Sequence, residues 1–107
     1  MKSQLPVKAT LAALAMLHAT NAVAMLVFPE TWYRAVPGAA DTGPFNHHLV
    51  QDVVIAFATS AAFLAHAVLD PARRITATLA GASFPAGHSM LHMWEIAMEH
   101  RQHATSL

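Results

Sequence analysis

The 107-residue chain contains no cysteine. That excludes disulfides, thiolate metal centres, iron–sulfur clusters and a thiol nucleophile. Charge is scarce as well. Asp, Glu, Lys and Arg make up 11% of the residues, against roughly 25% in an ordinary soluble domain. Six basic residues cancel six acidic ones, so the chain offers no basic surface to nucleic acid. It has no Gly-rich phosphate loop and no Gly-x-Ser-x-Gly elbow, and Ser83 and Ser89 lack a distinct base and orienting group. These absences argue against a stand-alone enzyme. What the chain does have is apolar residues, 55% of the total, and eight histidines. The apolar share excludes a disordered chain. The length suits one domain, residues 1–107.

The few charges are clustered. Residues 9–28 and 75–94 carry none, and residues 48–69 carry only Asp52. At 1.5 Å per helical residue each segment reaches about 30 Å, the thickness of a bilayer's hydrocarbon core. A soluble bundle of this size would need a polar face on every helix. The pattern predicts an all-α integral membrane bundle of three transmembrane helices, about 9–28, 48–69 and 72–95. The alternative is an Ala-rich helical protein that is soluble or buried by a partner. Lys2, Lys8 and the small residues Ala22-Val23-Ala24 resemble a secretory signal with its cleavage site. The apolar run continues through Met25-Leu26-Val27-Phe28, so the segment is read as a retained first span.

Lys2 and Lys8 precede the first segment, and Arg73 and Arg74 fill the second loop, against Arg34 in the first loop and Arg101 in the tail. The bias predicts a cytoplasmic N-terminus, and puts Trp32, Tyr33 and Trp94 at the outer interface. Pro29 suits the first turn of a short interfacial helix. Pro37-Gly38 and Gly43-Pro44 signal turns. Asp70 followed by Pro71 marks a helix start. Ala77, Gly81, Ala82 and Gly87 would let the last helix approach another closely, and Pro85 would kink it one turn before His88.

The histidines carry the chemistry. His48 and Asp52, four residues apart, share one face of the second long helix. On the last helix, at about 100° per residue, His88, His92, Glu95 and Glu99 fall within a narrow stripe. A short loop makes these two helices antiparallel neighbours, which predicts similar depths for the two sets. Imidazoles and carboxylates at i, i+3 and i+4 on facing helices are how helical bundles build metal sites. The expected ligands are His48, Asp52, His88 and His92, with His47 and Glu95 in direct or supporting roles. Nitrogen and oxygen donors suit zinc, copper, iron or manganese. Asp52, inside an apolar segment, is costly without a partner. A metal-free polar cluster that relays protons or joins helices fits the same residues. Haem is a further alternative, clamped between His18 and a histidine of a later helix. His66 lies on the face of His48 but about 27 Å away.

The run His48-Leu49-Val50-Gln51-Asp52-Val53, preceded by Gly43-Pro44-Phe45-Asn46, resembles the opening of one helix in a loose group of small uncharacterised bacterial multi-pass membrane proteins. Pro85-Ala86-Gly87-His88 with His92 is similar to that group's later Pro-His-x-x-x-His-like segment. The resemblance covers roughly residues 29–95. Gln51 stands where the group has Arg, and the group's usual fourth apolar helix does not follow. The resemblance implies a helical architecture in a bacterial inner membrane and a site, and brings no activity with it. Three helices enclose little core, so the expected partners are lipid together with further copies or a larger membrane complex, which the chain would join as an accessory subunit.

Overall fold

The computed structural model of the protein describes residues 4–105, and Lys2, on which part of the predicted orientation rests, lies outside them. The described residues are helical with no strand. The order is α1 (Gln4–Val27), α2 (Pro29–Ala35), a 3-10 turn (Ala40–Thr42), α3 (His47–Leu69), a 3-10 turn (Pro71–Arg73) and α4 (Arg74–Thr105). Pro29 begins α2, the expected short helix, at the position where its missing N–H costs nothing. Gly38 and Gly43 take positive φ, +86° and +135°, in the turns that follow. Asn46 caps α3 by accepting from the Leu49 N–H at 3.1 Å. Asp70 accepts from the Ala72 N–H at 3.1 Å and opens the 3-10 turn that leads into α4.

Helix α4 continues past the predicted end near residue 95 and runs through Pro85 without a break. Its last turns are polar, and the ion pair of His103 with Glu99 at i, i+4 (3.9 Å) supports them. One end of the bundle is tied by Arg74. Its guanidinium donates to the carbonyls of Ala67 (2.8 Å) and Val68 (3.1 Å) at the end of α3 and to Gln4 Oε1 (2.8 Å) at the start of α1. At the other end α2 folds back on α1, and Trp32 Nε1 donates to Asn21 Oδ1 at 2.8 Å.

Helix α3 is the centre of the packing, with α1 and α4 both resting mainly on it. One apolar cluster joins Leu11 and Ala15 of α1, Leu64 and Ala67 of α3, and Ala77 of α4. A second joins Ala22 and Met25 of α1 to Val50 and Val54 of α3, with Trp32 and Phe45 against it. Close packing of α3 on α4 depends on Gly81. A Cβ there would lie 2.8 Å from Leu64 Cγ and 3.1 Å from the Leu64 backbone nitrogen. Gly87, by contrast, has open space beside it.

Among the described residues, α1 and α3 are long and apolar enough to cross a membrane. Helix α4 is longer but less apolar, because Thr76, Thr78, Ser83, His88, Ser89 and His92 punctuate its uncharged stretch. The helical architecture and two of the three expected spans are therefore present by length and composition.

Candidate functional site on α4

The six residues expected to form one site fall into separate groups. On α3, His48 Nε2 lies 3.5 Å from Asp52 Oδ2, an i, i+4 pair with side chains 86% and 58% exposed. His47, the first residue of α3, stacks on Phe45 with ring centroids 6.2 Å apart. On α4, His88 and His92 meet ring to ring, with Nε2 atoms 3.1 Å apart. His92 Nδ1 faces Glu95 Oε2 at 3.5 Å. Among the described residues, no group of three or more His, Asp or Glu side chains is placed to hold one metal ion.

The geometry of α3 explains the separation. The α3 residue that touches His88 is Phe57, with ring centroids 6.0 Å apart. At about 100° per residue, Asp52 lies about 140° and His48 about 180° around α3 from Phe57. Both therefore point away from α4. Along the axis they lie about 7.5 and 13.5 Å nearer the helix start than Phe57. Antiparallel pairing of α3 and α4 is present, but it sets the two polar groups on different faces.

The α4 group has an internal order. His88 stacks on Phe84, one turn earlier, with centroids 5.3 Å apart and planes at 22°. It also meets the edge of Phe57. These two rings fix His88 on its inner side and leave its Nε2 facing His92. The His92 ring is held on both sides, by His88 at Nε2 and by Glu95 at Nδ1. If the Nε2 atoms share a hydrogen bond, one donates and the other accepts, so the two rings are in complementary tautomers. Two imidazole nitrogens bound to a tetrahedral ion at about 2.0–2.1 Å stand about 3.3 Å apart. The observed 3.1 Å is close to that spacing. A carboxylate on the remote nitrogen of a ligating histidine is the usual orienting partner, and Glu95 holds that position on His92. His88 and His92 can thus supply two donors to one ion, with water or another molecule completing its shell.

Sequence reasoning missed the aromatic surround. His18 of α1 stacks on Phe57 at 5.6 Å, and Phe57 meets Phe84 edge-on at 5.0 Å. Phe84 is four residues before His88 and could have been found from that spacing. Phe57 needed the register of α3 against α4. A macrocycle clamped between His18 and His88 would have to displace the Phe57 ring that both imidazoles touch.

Comparison of the chain with protein-family models, with curated proteins and with solved structures found no match.

Proposed function

We propose that the chain is an integral membrane protein of a bacterial inner membrane, and that α4 holds a transition-metal ion between His88 and His92. Three helices, α1, α3 and α4, cross the bilayer, with the N-terminus in the cytoplasm. Most of the apolar surface of the first two is open, since only 22% and 33% of their most apolar windows are buried. A core helix of a soluble protein would bury most of it. Helix α4 packs along α3 through Ala77 and Gly81 and starts beside the beginning of α1. It therefore spans in the same direction as α1, and its residues 75–94 are free of charge.

The metal reading is carried by one observation, the 3.1 Å approach of the two Nε2 atoms with Glu95 behind His92. Nitrogen donors suit zinc, copper(II) or iron. The residues bind and orient the ion, and the open half of its shell leaves room for ligand exchange, as metal handling requires. The test is equilibrium binding of Zn²⁺ to the purified protein in detergent. His88→Ala and His92→Ala each lose the tight site, while His48→Ala and Asp52→Ala keep it. Equal binding by all five proteins would overturn the assignment.

A second reading, an accessory subunit of a larger membrane complex, is favoured by the far half of α4. Met90, Leu91, Met93, Trp94 and Ile96 are all exposed there. It expects the chain to migrate with other polypeptides after extraction in mild detergent. Migration without them contradicts it.

A further inference from the structure

We propose that a second copy of this chain docks along the outward face of α3. His48, Asp52, Ile55, Thr59 and Ala62 follow one another at intervals of three and four, so they fall within about 80° of the helix circumference. All five are exposed. They lie opposite the face on which Val50, Val54, Ala61 and Leu64 are buried. Neither α1 nor α4 covers them, apart from Leu26 at one edge of the shallow groove they line.

The chemistry of this face selects its occupant. Asp52 sits one turn inside an apolar helix, and its ion-pair partner among the described residues is His48 of the same helix at 3.5 Å. A carboxylate left towards lipid is costly, and acyl chains offer it no donor. Copies inserted in the same direction are related by an axis along the membrane normal, so their α3 helices run parallel with like residues at like depth. The face carries one imidazole and one carboxylate a turn apart. It is therefore complementary to itself: His48 of each copy reaches the carboxylate at position 52 of the other. Beyond Ile55 the face is small, with Ala58, Thr59 and Ala62, which lets two backbones approach closely. The proposal rests on the reading of α3 as a membrane span and is independent of the metal site.

Because the chain has no cysteine, a single introduced cysteine reports its own position only. Ile55→Cys, Thr59→Cys and Ala62→Cys are compared in membrane vesicles under a mild oxidant with Met16→Cys on α1 and Leu79→Cys on α4, both exposed positions. The α3 variants are expected to form disulfide-linked dimers and the other two to remain monomeric. Adding Asp52→Asn, which keeps the shape and removes the charge, is expected to lower the Thr59→Cys dimer several-fold. Even cross-linking at all five positions, no cross-link on α3, adducts to a different polypeptide, or a Thr59→Cys dimer indifferent to Asp52→Asn would each overturn the proposal. Alkaline carbonate extraction is run on the same vesicles. A chain retained in the membrane but not cross-linked overturns the dimer alone, whereas a chain released by carbonate overturns the spanning reading and the dimer with it.

Discussion

His92 is the residue on which the site turns. Its two ring nitrogens have different neighbours, His88 on one side and Glu95 on the other. Losing either neighbour has a different consequence. Without His88 an ion keeps one protein donor. Without the Glu95 charge both donors remain, but the His92 ring loses the group that fixes its tautomer and tilt. Removing such a supporting partner typically lowers metal affinity about 10–100-fold. Glu95→Gln is therefore expected to weaken Zn²⁺ binding by that factor without abolishing it, as read by competition with a chromophoric chelator. Affinity equal to that of the unaltered protein would remove Glu95 from the site. That His88, His92 and Glu95 lie together on one helix face was legible from their spacing. The position of His48 and Asp52 on a face of α3 turned away from α4 was not. A helix with apolar residues on every side gives no sign of which face meets its neighbour, and the face was decided by the packing of Phe57, Leu64 and Gly81.

At the scale of the element, α4 is seated by its first half and free in its second. Ala77 and Gly81 are its buried residues, and beyond His88 none is buried. The seat is steric. Leucine at position 81 has to push away the backbone of α3, since a Cβ alone would stand 3.1 Å from the Leu64 nitrogen. Gly81→Leu is expected to lower the thermal midpoint in detergent and to weaken Zn²⁺ binding by moving His88 off Phe57. Gly87→Ala meets nothing and removes a flexible residue from a helix interior, worth up to about 1 kcal/mol. Its midpoint is expected to stay level or rise. Identical behaviour of the two variants would show that α4 does not pack at Gly81. The starts of α2 and of the turn before α4 were readable because Pro29, Asp70 and Pro71 act locally. The length of α4 was not, because its polar last turns break the apolar pattern without breaking the helix.

Helix α2 supplies a second test at this scale. Its hold on α1 includes the Trp32–Asn21 hydrogen bond. In a Trp94→Phe background, Asn21→Ala is expected to shift Trp32 emission to the red as the indole loses its anchor. An unchanged spectrum would mean that apolar contact with Met25 and its neighbours holds α2 by itself.

For the molecule as a whole, the spanning account makes a topological prediction. Asp41→Cys in the first loop and Gln102→Cys near the end of α4 are expected to react with a membrane-impermeant maleimide added outside intact cells. Ala72→Cys, in the turn between α3 and α4, is expected to react only after permeabilisation. Reaction of Ala72→Cys and Gln102→Cys from the same side would mean that α4 does not cross. Scarcity of charge made the helical fold, and two helices long and apolar enough to span, readable without any local motif. The proposal that α4 is a third span has less support in composition, because His88, His92 and the Ser and Thr residues around them lower its apolarity.

The central claim is that two α4 imidazoles share one ion. It is tested most directly by electron paramagnetic resonance of the protein loaded with one equivalent of Cu²⁺. The account predicts nitrogen hyperfine structure from two equivalent imidazoles, reduced to one in His92→Ala and lost in the His88→Ala/His92→Ala double variant. A spectrum unchanged in the double variant would place the copper elsewhere and contradict the account.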